Sequence, residues 1–259
     1  SSFELRGRHI SSNRYVPMIL PDGRSLHGIN DASIRIGLRL SKDETIVRMP
    51  FEVRHMGSKY PIFSFDFTGA KRGVLPASYD YLRLEGRMQY RLNLPPIGYS
   101  QLMLEGGKIF GKVPYLLLKL HEGNGTYFYD RYAFSCMNFY EFSSDAWISF
   151  FYEHHFNGFL LGRVPLLKKL NWREVFVFKG VYGTLSARND GSLPNTKAVM
   201  LFPVGMSSVE HPYLETGFGI ENIFRLLRVD CIWRLTHHRA VPGLSIPTFT
   251  VNFSLNLKF

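Results

Sequence analysis

The chain has 259 residues, a formal net charge of +10 and two cysteines, and 15% of its residues are aromatic. Mean hydropathy is -0.08, and no stretch approaches the roughly 20 continuous apolar residues of a membrane helix, which excludes a helical membrane protein. The basic residues are scattered rather than gathered in a patch, which argues against nucleic acid as a partner, and Cys136 and Cys231 lack the spacing of a zinc or redox motif.

Ser1-Ser2-Phe3 carries neither a charged nor an apolar leader, so the chain reads as processed or as a piece of a longer one. Residues 1–30 give only strand fragments, Glu4 to His9 and Tyr15 to Leu20. From about residue 31, apolar and polar residues alternate with the period of a strand whose two faces meet different surroundings. Ile34, Ile36, Leu38 and Leu40 interleave with Arg35, Gly37 and Arg39; Val47, Met49, Phe51 and Val53 with Arg48, Glu52 and Arg54. Phe63, Phe65 and Phe67 flank Ser64 and Asp66. The longest run sets Leu82, Leu84, Met88, Tyr90, Leu92 and Leu94 against Arg83, Glu85, Arg87, Gln89, Arg91 and Asn93. Ile148, Phe150 and Tyr152 then face away from Ser149 and Glu153, and Leu227, Val229, Cys231, Trp233 and Leu235 from Arg228, Asp230, Arg234 and Thr236. The chain closes on Phe249, Val251, Phe253, Leu255, Leu257 and Phe259, each separated by one polar residue.

These runs, about ten in number, exceed the usual five or six residues of soluble strands and suit a tilted membrane crossing. A soluble sandwich with an aromatic core fits the composition equally well; length and repetition favour the membrane. The predicted fold is all-β, a transmembrane antiparallel β-barrel of the bacterial outer-membrane type, in one domain over 1–259. A second consequence concerns substitutions. Arginine at Leu255 or Val251 is expected to be costly in lipid, and the same change at Asn252 or Ser254 mild.

With Phe259 set at the periplasm, each segment acquires a side. Residues 237–246, 188–212 and 111–143 become outer loops, and 221–226, 157–172, 94–98 and 57–60 inner turns. Segment 157–172 is apolar with basic punctuation at Arg163, Lys168 and Lys169, readable as an interfacial element or as an ordinary packed turn; Pro165 argues against a long helix. Loop 111–143 is too apolar and aromatic to hang free in water, so it is expected to fold over or into the lumen.

No motif of catalysis is present, neither G-x-S-x-G, H-E-x-x-H nor a glycine-rich phosphate loop, and no metal or cofactor is implied. His154 and His155 are adjacent and point to opposite faces of a strand. The inner face is charged. Arg35, Arg39, Arg48, Arg54, Arg83, Arg87, Arg91, Arg228 and Arg234 share it with Glu52, Asp66, Glu85, Glu153, Glu215, Glu221 and Asp230. Two readings stand: an anion-favouring pore, or ion pairs that fill and stiffen the lumen.

The strings H-E-G-N-G-T-Y-F-Y-D-R-Y-A-F (121–134), Y-E-H-H-F-N-G-F (152–159), P-L-L-K-K-L-N-W-R-E-V (165–175), P-Y-L-E-T-G-F-G-I-E-N-I-F-R-L-L-R-V-D (212–230) and the closing F-S-L-N-L-K-F resemble a known family. It is the C-terminal barrel of a Bacteroidetes outer-membrane family with a carboxypeptidase-regulatory-like domain near its N-terminus. More remotely, the layout is similar to the surface-antigen superfamily that includes BamA and TamA. The resemblance implies an outer-membrane location, lipid with lipopolysaccharide outside, and delivery by the barrel assembly machinery through a C-terminal signal ending in Phe259. It also implies a larger barrel of about sixteen strands, of which this chain is the C-terminal portion; a closed barrel of about ten to twelve strands is the competing account. The superfamily's lumen loop carries a V-R-G-F motif. Asp130-Arg131-Tyr132-Ala133-Phe134 lies in the matching loop but has no V-R-G, and Arg131 is the candidate counterpart. The expected function is assistance in inserting or translocating envelope proteins, or service as a subunit of an envelope complex; the alternative is an anion-favouring solute channel. No enzyme activity is expected.

Overall fold

The computed structural model describes residues 1–49, 53–192, 197–239 and 245–255. Leu257 and Phe259 of the closing alternation lie outside them, as do Phe51 and Glu52. In chain order the strands are β1 (Ser2–Ser11), β2 (Gly28–Leu40), β3 (Thr45–Arg48), β4 (Val53–Gly57), β5 (Ile62–Ala70), β6 (Tyr81–Asn93), β7 (Tyr99–Gly111), β8 (Lys119–Leu120), β9 (Phe142–Ser144), β10 (Ala146–His155), β11 (Arg173–Thr184), β12 (Ser207–Ser208), β13 (Tyr213–Ile223), β14 (Leu227–Arg234) and β15 (Phe249–Leu255). One short helix, α1 (Pro165–Leu170), interrupts them.

Ten strands form one sheet in the order β1-β2-β5-β6-β7-β10-β11-β13-β14-β15, each antiparallel to its neighbours. The fold is therefore nearly all-β, an up-and-down meander with strands of up to 13 residues. Strand order follows chain order because antiparallel neighbours can be joined by direct connections.

Two sequence expectations change. The first strand of the sheet is Ser2–Ser11, in a region that shows only fragments, since its exposed polar and apolar residues mix on the free margin. The alternation around Val47 to Val53 is not a strand of the main sheet. It is divided between β3 and β4, which form a separate two-stranded hairpin. Pro50, in the middle of the run, lacks the N–H that a central strand must donate. Arg48 and Arg54 thus belong to the hairpin and not to the inner face.

Connections alternate between two ends as the parity argument requires. The connections β2–β5, β6–β7, β10–β11 and β13–β14 lie at one end, the turn end; the others gather at the opposite, loop end. At the turn end Gly98 adopts φ +106°, and a Cβ there would fall on the His155 carbonyl. Segment 157–172 folds into a 3-10 turn at Leu161–Arg163 and the six-residue α1, opened by Pro165 and closed by Asn171 in the left-handed region.

The sheet curves toward one face. Ile29 of β2, Ala70 of β5, Tyr81 of β6, Ile109 of β7 and Trp147 of β10 converge in a single buried cluster with Met18, Tyr115, Leu117 and Met200 from the loop end. Five successive strands thus share one core on that face. The opposite, convex face exposes large apolar side chains on every strand. Phe67, Ile148, Phe218, Phe249 and Leu255 all stand on it at 41–60% exposure. On its middle, Phe150 and Tyr152 stack, Phe178 and Phe176 meet them in T-shaped contacts, and Phe218 tilts against Phe176.

Candidate functional site

The concave face is filled by the chain itself. Residues 112–145 leave β7 at the loop end, turn through Tyr115–Leu117, and form β8 and β9, which join β12 in a small three-stranded sheet. Part of their apolar surface is buried on the wall, while Tyr127, Phe128 and Phe139 stay exposed. Phe134, Met137 and Phe142 pack with Met103, Phe151, Val181, Val209 and Tyr213 of the wall. The loop thus lies against the concave face, and Phe134 and Phe142 are the aromatic residues it buries there.

The loop descends to a polar anchor built by alternate residues of five strands. Arg131 donates from Nε to Glu153 Oε2 at 2.8 Å. The same carboxylate receives the Tyr129 hydroxyl and, at 3.2 Å, Arg228 Nη2. Arg228 is held against Asp230, two residues along β14 and on the same face, at 2.8 Å. A Cβ on Gly219 of β13 would lie 2.1 Å from Asp230 Oδ1, so a residue without one makes room for this pair. Glu153 is 1% exposed and Arg228 3%, so each charge depends on its partners.

Further along, Lys179 Nζ donates to the carbonyls of Asp130 (2.7 Å) and Ala133 (2.6 Å). Glu215 accepts the backbone amides of Ser135 (2.9 Å) and Cys136 (2.7 Å) and the hydroxyl of Tyr213 (2.6 Å). Arg234 binds Glu141 at 2.6 Å and donates to the carbonyls of Cys136 and His237. Asn252 of β15 donates to Thr126 O at 3.1 Å. Loop backbone buried away from water thus finds partners among wall side chains.

The remaining inner charges pair locally. Arg83 meets Glu85 at 2.8 Å, Arg87 meets Glu105 at 2.6 Å, and Arg35 meets Asp66 at 2.9 Å. Lys119 of the loop bridges Glu105 (2.8 Å) and Glu122 (2.9 Å), and the Arg91 guanidinium stacks 4.1 Å over Tyr99. Two loop groups are shifted by their burial. His121 is lowered to about 3 by desolvation and the nearby Lys119, and remains neutral while donating to or accepting from Ser144 at 3.0 Å. The Cys136 thiol is raised to about 12 by desolvation and Glu215. Both cysteines are free.

Of the residues singled out from sequence, Arg131, Glu153, Arg228 and Asp230 come together in one cluster, and Arg234 stands in a second beside it. Arg83, Glu85, Arg87 and Arg91 line the neighbouring wall without touching the anchor. Phe249, Val251, Phe253 and Leu255 lie on the convex face. Lys179, Glu105, Glu141, Tyr129 and Asn252 were not singled out. Parity would have found Lys179 and Glu105, each on an inner position within an apolar run. Asn252 corrects the expectation of tolerance. It is inward but fully buried against the loop, so an arginine there has no room.

Comparison with curated proteins finds no match. Among solved structures the chain is similar to BamA from Haemophilus ducreyi lacking POTRA domains 1-3, at 11% identity and a TM-score of 0.49, over 92% of this chain and 45% of that one. The chain therefore spans less than half the length of that structure. A family model described as "Family of unknown function (DUF5686) C-terminal domain" matches residues 2–187, and the chain belongs to this family.

Proposed function

We propose that this chain is a barrel-forming protein of the bacterial outer membrane, of surface-antigen type, which assists insertion or translocation of other envelope proteins or serves as a subunit of an envelope complex. One observation carries the membrane reading: a ten-stranded meander that exposes large apolar side chains on the convex face of every strand while most of its charges are turned inward. Water would leave that apolar surface far larger than soluble proteins expose; lipid suits it. The loop end then faces outward and meets lipopolysaccharide, and the turn end with the β3–β4 hairpin faces the periplasm. Delivery by the barrel assembly machinery belongs to the same reading, as does a carboxypeptidase-regulatory-like domain elsewhere in a Bacteroidetes protein.

A role in handling other proteins, and not in catalysis, is supported by a concave face given over to a tethered loop. The anion-channel alternative is disfavoured because Arg35, Arg83, Arg87, Arg228 and Arg234 are engaged by carboxylates and the loop lies across the concave face. Fractionation tests the location: recovery with outer membranes, released only by detergent, is expected, and recovery in the aqueous fraction would overturn it. Depletion tests the role: heat-modifiable forms of other outer-membrane proteins should fall. A plain open pore in single-channel recording would refute it.

A further inference from the structure

Two neighbouring connections at the turn end combine apolar and basic residues on their exposed surface. Segment 157–172 exposes Leu160, Val164 and Leu170 beside Arg163, Lys168 and Lys169. The β13–β14 turn exposes Phe224 and Leu226 beside Arg225. Asn222 Nδ2 donates to the Asn171 carbonyl at 2.8 Å and joins the two into one unit. Phe224 and Arg225 both adopt left-handed backbone, at φ 50° and 69°, and Phe224 stays 85% exposed. Bulky residues rarely occupy that region, and here the turn presents an aromatic ring that nothing in the fold covers.

The charge of the unit is one-sided. Residues 157–173 and 222–227 contain no aspartate or glutamate. Of the flanking carboxylates, Glu174 accepts the Leu161 amide, and Glu221 turns inward to His155 at 3.2 Å. Among the described residues no carboxylate pairs with Arg163, Lys168, Lys169 or Arg225, and the Arg163 guanidinium lies 4.1 Å over the Phe159 ring. Glu174 shares the convex face of β11 with Phe176 and Phe178, so its bond to Leu161 draws the segment to the convex side of the sheet.

We propose that this unit is a binding site for anionic phospholipid headgroups at the periplasmic margin of the membrane, an inference that rests on the membrane reading above. Leu160, Val164, Leu170 and Phe224 enter the acyl boundary, and Arg163, Lys168, Lys169 and Arg225 meet the phosphates beside them. A zwitterionic headgroup balances its phosphate with its own ammonium. An anionic headgroup does not, so a cation cluster without carboxylates favours it. Continuity with the apolar convex face selects lipid over an acidic protein surface as the occupant.

Two tryptophans serve as reporters: Trp172 stands inside the unit, and Trp233 is exposed on the convex face. The full chain is reconstituted in vesicles of phosphatidylcholine and phosphatidylglycerol in equal parts, with brominated acyl chains on one lipid or the other. Trp233→Phe leaves Trp172 as the reporter and Trp172→Phe leaves Trp233, each over the constant background of buried Trp147. Trp172 should be quenched several-fold more when phosphatidylglycerol carries the bromine, and Trp233 equally by both lipids. Arg163→Gln, Lys168→Gln, Lys169→Gln and Arg225→Gln together should abolish the preference and leave the quenching of Trp233 intact. Equal quenching of Trp172 by the two lipids, or a preference that survives the four substitutions, would overturn the proposal. Quenching of Trp233 but not of Trp172 would also overturn it and leave the unit to an acidic protein partner. Absence of quenching at Trp233 would instead remove the membrane reading, and this site with it.

Discussion

Arg228 and Glu153 stand on strands three places apart in the sheet, yet their side chains meet at 3.2 Å on its concave side. Curvature makes the contact, and the loop residues Tyr129 and Arg131 complete it. The carboxylate serves three donors at once, whereas Arg131 keeps 37% of its side chain exposed. Glu153→Gln should therefore cost about 3 kcal/mol, because it removes the shared buried charge and leaves Arg228 with Asp230 alone. Arg131→Met should cost only about 1 kcal/mol, discounted for solvent screening. Unfolding in detergent, followed by heat-dependent gel mobility, measures both; equal costs would mean that Glu153 is not the hub.

The Lys179 ammonium ties down the loop backbone through two carbonyls. Lys179→Met keeps much of the apolar stem but leaves both carbonyls short of a donor, at about 1–3 kcal/mol each. The expected result is faster chymotrypsin cleavage near Tyr127 and Phe128 in an otherwise folded chain. Unchanged cleavage would show that the loop is held without this residue.

The convex face supplies a test of the solvent. Phe218 lies midway along β13 and is 59% exposed. Phe218→Arg should cost about 2–4 kcal/mol when folding is measured in lipid vesicles, if the site is near the midplane. In a water-soluble protein the same change would improve solubility at little cost, and that outcome would remove the membrane.

His121 sets a pH dependence. Its ordinary value of about 6.5 falls to about 3 in the folded chain. The unfolded chain therefore binds the extra proton between these values, and stability contributed by neutral His121 is present above the upper one and lost as pH falls toward the lower. The loss is about 2 kcal/mol near pH 5. His121→Gln should flatten the acid limb of the unfolding midpoint against pH; an unaltered slope would assign that limb to other groups.

Much of this was legible in the sequence because period two is a direct imprint of the pleat. Ile34 to Leu40, Leu82 to Asn93 and Leu227 to Arg234 needed no tertiary information to reveal their two faces. Val47 to Val53 shows where the signal misleads: alternation survives in a hairpin, and the missing N–H of Pro50 was the clue. The anchor was partly legible. Arg131 followed from a motif resemblance and Glu153 from parity, but nothing local pairs Tyr129 with Glu153 or Asn252 with Thr126. Parity says which way a residue points, and the identity of what waits there depends on how a distant loop folds back.

That separation along the chain has a kinetic consequence. Every strand of the meander pairs with a chain neighbour, so the wall can grow hairpin by hairpin with small loop-closure cost. The plug cannot follow the same schedule. Ser135 waits for Glu215, 80 residues later, and Thr126 for Asn252, 126 residues later. The wall must be nearly complete before the loop can lock, so the last event of folding is an internal docking, and the species before it is an empty trough.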